Sequence, residues 1–311
     1  MSSAGSSARP TRNERREAAR EKAREFREMQ KRRNRRNKLL TRGGIIVAAV
    51  AVCALVLAIV LTSTRPPGPG PANMASDGIV LVGEGGVVKA VRNPGIPSGG
   101  KPTPSTPDNS GKVANIVVYA DYQCPACKGF EMVNSETILN FVKSGAATLE
   151  IHPISALDNA SAGTHYSSRA TNAAACVANY SPDKFLDFNT LLFANQTPEG
   201  KAGLTNAQLK SYAAQAGATG VDSCIDTNQF KSWVQDATNR AFTGPLPNTD
   251  VKSIATTPTV LVNGTYYNDA SLPKDKQRSI VNADEFRTFV LDATGASLNK
   301  ANVTPTPTPT G

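Results

Sequence analysis

Apolar and polar positions alternate in three distinct ways along this chain, and each points to a different element. A single uninterrupted run, Gly43 to Ser63 (GGIIVAAVAVCALVLAIVLTS), carries no charge. About 20 such residues span a bilayer core, so 43–63 is expected to be a transmembrane helix. Short β-branched runs at Ile79–Val82 and Val87–Val91 flank the Gly83–Gly86 turn and predict a hairpin. Between 112 and 295 strand-like and helix-like patterns alternate: a strand over 115–120, a helix over 125–143 and a strand over 147–152. A helical block follows to about 242, then a β-hairpin over 259–268 and a closing helix over 283–294.

The first of these helices places Phe130, Val133, Ile138, Phe141 and Val142 on one face and stops at Gly145. Within the helical block, helix starts are predicted at Ser181-Pro182, at Thr205 with Gln208 in a capping box, and at Thr227 ahead of Asn228–Thr243. A sheet flanking such a block predicts an α/β domain over 112–295 with a helical insertion at about 160–243. Low-complexity stretches divide the rest. Residues 64–78 read as a Pro/Gly linker, 79–111 as a short β segment followed by a second linker, and 296–311 as a Thr/Pro-rich disordered tail.

Charge changes the picture by its location. The chain carries a formal net charge of +9, but residues 1–44 hold 15 Lys/Arg and 5 Asp/Glu, a net of +10. The remaining 19 basic and 20 acidic residues (34 − 15 and 25 − 5) sum to −1. A basic cytoplasmic segment over 1–42, just before the apolar run, sets the expected topology by the positive-inside rule, with the domain extracytoplasmic on the cell membrane. A cleaved signal peptide is the alternative reading. Nucleic acid is not expected as a partner, since Phe26 is the only aromatic in the basic segment.

The candidate chemistry lies in Cys124-Pro125-Ala126-Cys127, at the junction of a predicted strand and helix. Unpaired N–H groups of a helix's first turn and its dipole favour a thiolate on the first cysteine, which thiol–disulfide exchange requires. Cys53 falls in the apolar run. In an oxidising space Cys124, Cys127, Cys176 and Cys224 allow three pairings, with Cys124–Cys127 and a structural Cys176–Cys224 bond as the expected set. A zinc site would need two further ligands at suitable spacing, so no metal or other cofactor is expected. Downstream, Thr257-Pro258-Thr259-Val260 opens an apolar strand that turns at Asn263-Gly264. A cis Thr257–Pro258 bond there would leave backbone groups free for an extended peptide.

Taken together, the run Asp121-Tyr122-Gln123-Cys124-Pro125-Ala126-Cys127, the helical insertion, and Thr257-Pro258-Thr259-Val260 with Asn263-Gly264 resemble the membrane-anchored DsbA-like thiol–disulfide oxidoreductases of Gram-positive and actinobacterial type. The resemblance implies a thioredoxin fold interrupted by helices, with Cys124 as the exchanging thiol and Cys127 as its resolving partner. It also implies that Pro258 is a cis-proline facing Cys124, with Thr257 beside it against substrate backbone. The implied function is a dithiol oxidase for exported proteins, recharged by a membrane quinone-linked oxidase of DsbB-like or vitamin K epoxide reductase-like kind. A reductase or isomerase of the same fold, or a non-catalytic thioredoxin-like binding module, is the alternative. Two positions depart from the family pattern: Ala126 stands where a histidine is common, and Val118 where a buried acid is common. Asp121 is read either as orienting the loop or as a solvated turn residue.

Overall fold

The computed structural model describes residues 68–301, with side chains to 295. The basic segment 1–42, the apolar span 43–63 and the Thr/Pro repeats lie outside the described residues. Among the described residues no helix is long and apolar enough to cross a membrane.

Six strands form one mixed sheet in the order β2-β1-β4-β3-β5-β6. Its centre is β3 (Ala114–Ala120) beside β4 (Ala147–Pro153), paired in parallel from Ala114↔Ala147 to Ala120↔Pro153. Parallel neighbours need a crossover, and α1 (Pro125–Lys143) supplies it. Successive strand residues face opposite sides, so Val118, Ala120, Leu149 and Ile151 meet Phe130, Ile138 and Val142 of α1. Tyr119 and Leu261 face the other way, with Ile154 and Leu246. Val133 is exposed, whereas Phe141 is half-buried against the core; the fully buried positions of α1 are Cys127, Phe130, Asn134, Ile138 and Val142.

On one side β5 (Thr259–Val262) runs antiparallel to β3 and turns into β6 (Thr265–Tyr266). On the other, β1 (Ile79–Glu84) pairs antiparallel with β4 and, through a Gly85-Gly86 turn, with β2 (Val87–Ala90). Both turn glycines have φ above zero, at 59° and 81°, as a tight two-residue hairpin turn requires. The N-terminal hairpin therefore extends the edge of the same sheet. Gly83 fixes how closely it can approach α1, because a Cβ there would lie 2.0 Å from the Val142 carbonyl oxygen. Gly83→Ala is expected to cost about 2 kcal/mol by forcing the hairpin off the helix. Urea unfolding measures this, and a loss below about 0.5 kcal/mol would contradict the packing.

The helical block comprises α2 (Tyr166–Tyr180), α3 (Phe185–Ala194), α4 (Asn206–Gln215), α5 (Asp222–Thr227) and α6 (Lys231–Thr243), and α7 (Ala283–Ala301) closes the fold. Thr205 makes the predicted capping box with Gln208. Two predicted starts are corrected. Ser181 makes no side-chain cap; its hydroxyl donates to Thr219 O and accepts from Thr219 N, while Pro182–Lys184 is a single 3-10 turn. Thr227 ends α5 instead of starting the next helix, because Asn228 adopts a left-handed φ of 50° that breaks the chain there. The last helix also runs on into the stretch read as tail, since the first proline beyond it is Pro305.

The stretch 64–78, read as a free linker, is docked over its described part. Ala72 N donates to Asn179 Oδ1 and Asn73 Nδ2 to Ala178 O, both at 2.8 Å, and Met74 is fully buried. Asp77 accepts from Trp233 Nε1 at 3.0 Å and from Arg240 at 2.7 and 2.8 Å. Hydrogen bonds between charged partners are stronger than neutral ones, and these bind the segment to α6. The segment 101–108 is likewise held, with Ser105 Oγ donating to Glu150 Oε2 and Asn248 Nδ2 to Ser105 O.

Candidate active site

Cys124 is the N-cap of α1, with extended backbone (φ −74°, ψ 119°) and Pro125 at the first helical position. Proline suits that position because its missing N–H has no partner to lose. The cap side chain is a sulfur instead of the usual oxygen: Cys124 Sγ accepts from Cys127 N at 3.4 Å. No acidic side chain stands in the first turn of the helix, so nothing offsets the positive end of its dipole. Cys124 is 6% exposed and Cys127 1%, whereas Pro125 and Ala126 are exposed. An approaching disulfide therefore meets Cys124 first.

The second segment arrives from the far side of the sequence. Thr257–Pro258 is cis, and Cys124 Sγ lies 3.3 Å from Thr257 O. Pro258 is buried and Thr257 half-buried. Asn268 holds this loop, donating from Nδ2 to Pro258 O at 2.8 Å and accepting from Val260 N at 3.1 Å. The structure thus brings together Cys124, Pro125, Ala126, Cys127, Thr257 and Pro258, while Cys176 and Cys224 are bonded to each other between α2 and α5.

The two thiols are pushed apart electrostatically. Donation from the Cys127 thiol, and also from the Thr257 side chain and the amides of Cys127 and Ala126, lowers Cys124 to about 6 against the opposition of burial. Cys127 moves the other way: burial, then the neighbouring Cys124, raises it well above an ordinary thiol. The pair is thus polarised, the outer sulfur toward a thiolate and the inner one toward a thiol.

Asp121 is a buried anchor and not a solvated turn residue. Its carboxylate accepts from Gln123 N at 2.7 Å, Leu157 N at 2.8 Å and Ser167 Oγ at 2.6 Å, and burial raises its pKa. Its amide donates to Cys127 Sγ at 3.5 Å. The two histidines lie elsewhere. His152 stacks on Tyr119 at 4.3 Å, with Nε2 3.0 Å from Glu150 Oε1, beside a cavity of about 530 Å³ on the sheet face away from α1. His165 pairs with Asp158.

Three residues of this neighbourhood were not singled out from sequence: Asn268, Gln196 and Glu131. Glu131 follows Cys127 by one helical turn. Its carboxylate accepts from Asn189 Nδ2 at 3.0 Å and Thr190 Oγ1 at 3.4 Å, and burial pushes it up to about 7. The sign follows from linkage. A carboxyl raised in the folded state contributes fully below its ordinary value of 4.5, and that contribution is lost as pH rises through about 7. Glu131→Gln should therefore gain about 2–3 kcal/mol on the parent between pH 5 and pH 8, read by urea unfolding. A pH-independent difference would contradict the burial of this carboxyl.

A thioredoxin family model matches residues 111–283. No curated protein matches the chain. Among solved structures it is similar to a disulfide bond oxidoreductase (DsbG) from Mycobacterium tuberculosis in its reduced form, at 26% identity over 72% of this chain and 94% of that one, with a TM-score of 0.48. It is similar to reduced DsbA from Mycobacterium tuberculosis at 28% identity over 70% and 99%, TM-score 0.46. The MdbA thiol-disulfide oxidoreductase from Corynebacterium diphtheriae is 17% identical over 74% and 96%, TM-score 0.49.

Proposed function

Because the chain belongs to the thioredoxin family, we propose that it is a thiol–disulfide oxidoreductase working through Cys124 and Cys127, and that it runs as a dithiol oxidase. The observation that carries this reading is the geometry of one pair: an outer sulfur at the N-cap of α1 that accepts from Cys127 N beside cis-Pro258, and an inner one buried beneath it. A stabilised thiolate on Cys124 favours the reduced pair over its disulfide, so the disulfide form readily takes electrons.

In the cycle a substrate thiolate attacks Cys124 Sγ of the Cys124–Cys127 disulfide, and Cys127 departs and takes up a proton. A second substrate thiolate then attacks its own sulfur in the mixed disulfide and expels Cys124 as a thiolate. Two electrons pass to the protein and one disulfide to the substrate. The backbone of Thr257, beside cis-Pro258, lines the approach to Cys124 and would position an extended substrate segment.

Exported proteins are the proposed substrates and a membrane quinone-linked oxidase the proposed recharging partner. What supports this setting is the charge-free run 43–63 behind an Arg-rich segment, together with a buried Cys176–Cys224 disulfide suited to an oxidising space. Catalysed oxidation of a reduced, unfolded disulfide protein in a glutathione buffer is the test. Accelerated disulfide formation supports the oxidase. Efficient reduction of insulin without it would make the protein a reductase, and inertness in both assays a binding module.

A further inference from the structure

The helical insertion grips each of the four residues that lead into α1. Ser167 and Leu157 hold the Asp121 carboxylate, Asn189 accepts from Tyr122 Oη at 3.0 Å, and the Ala160 and Lys201 carbonyls accept from Gln123 Nε2. The last grip differs in kind because it falls on the backbone of the reactive cysteine. Gln196, two residues beyond α3, donates from its single Nε2 to Tyr122 O at 3.0 Å and to Cys124 O at 2.9 Å. An amide nitrogen has two N–H groups, and both are committed here. The opposite rotamer would set a carbonyl against two carbonyls, so the hydrogen-bond pattern fixes the orientation.

From this geometry we infer that Gln196 is a positioning residue for Cys124, holding the Tyr122 and Cys124 carbonyl dipoles on a donor so that the loop tolerates a negative sulfur. Carbonyl oxygens carry partial negative charge, and these two belong to the residue that bears the sulfur and to the loop residue two before it. Donors that draw on them, and that hold the loop in one conformation, favour the charged form of the thiol. The Cys124 carbonyl also accepts from Lys128 N at 3.1 Å as the first rung of α1, so the second donor acts on an acceptor already built into the helix. Ala126 offers no side-chain donor between the cysteines; what it gives Cys124 comes from its backbone amide alone.

The segments packed around the loop carry other ionisable groups: Asp121 and Tyr122 in it, Cys127, Lys128 and Glu131 on α1, and Tyr166, Glu199 and Lys201 on the insertion. Lys128 Nζ points to Ala194 O at 3.5 Å, and Glu131 to Asn189 and Thr190. Neither substitutes for Gln196.

The inference rests on Cys124 being the activated thiol, and the test separates the two claims. Alkylation of Cys124 by iodoacetamide is followed by mass spectrometry across pH 4–9 in the full chain and in Gln196→Met, Gln196→Glu and Gln196→Lys. Met matches the length but lacks both N–H groups, Glu is isosteric and brings acceptors, and Lys restores donors. A one-unit rise from about 6 takes the thiolate at pH 6 from about half to about a tenth, so Met should slow alkylation there about fivefold. Glu should slow it at least as much, and Lys should return within about twofold of the parent. If the parent titrates low and the Met and Glu profiles superimpose on it, Gln196 is a packing contact and the inference falls alone. If Lys is as slow as Met, donation is not the cause, and the inference falls by that route. A parent that titrates as an ordinary thiol would instead overturn the proposed function on which both rest.

Discussion

Cys127→Ser is expected to turn the protein from a turnover catalyst into a trap. An incoming disulfide reaches Cys124, whose flanking Pro125 and Ala126 are exposed, while Cys127 is 1% exposed beneath it. Cys124 can then still form a mixed disulfide, but no inner thiol is present to resolve it. Oxidative turnover should fall at least about a hundredfold. Non-reducing electrophoresis after mixing with a disulfide-containing protein should show a covalent adduct through Cys124 that dithiothreitol releases. Cys124→Ser should lose turnover equally and form no adduct. If Cys124→Ser trapped substrate as well as Cys127→Ser does, the outer and inner assignments would be reversed.

The double change Cys176→Ala/Cys224→Ala should lower stability by about 4 kcal/mol, the chain-entropy value for a 48-residue separation. The bond carries this weight because of what surrounds it. Helix α2 buries Ala170, Ala173, Ala174, Ala175 and Ala178, small side chains that each remove little apolar surface from water. The sulfurs tie that face to α5, a helix of only six residues. Asn172 completes the joint, donating to Cys224 O at 3.4 Å and accepting from Phe230 N at 2.9 Å. Denaturant unfolding measures the loss. A cost below about 1 kcal/mol would mean that packing alone holds the insertion. Alkylation of Cys124 should be unchanged wherever the variant is folded, since the bond lies outside the thiol site.

The redox motif and the strands and helix around it were legible because they rest on local rules. Pro125 starts α1 where a proline at the first helical position predicts it, and the strands on either side follow the β-branched runs. The Cys176–Cys224 pairing followed from compartment and count. What was not legible depends on contacts distant in sequence. Nothing in the spacing of Gln196 or Asn268 distinguishes them from other loop amides, and their importance appears only when the fold lays each across two backbone groups. Glu131 looked like a polar position of an amphipathic helix until α3 covered it with Asn189 and Thr190. Residues 64–78 read as linker because proline and glycine are frequent there, yet Asn73 and Asp77 find partners on α2 and α6. Thr227 and Ser181 were plausible caps whose hydroxyls found other partners.

The reduction potential of the Cys124–Cys127 couple tests the central claim most directly. The full chain is equilibrated against glutathione buffers at pH 7 and the two redox forms are counted by mass spectrometry. A Cys124 thiolate stabilised by the helix end and its donors favours the dithiol, so the potential should lie between about −200 and −120 mV. A value at or below about −270 mV would contradict the account and make this protein a donor of electrons.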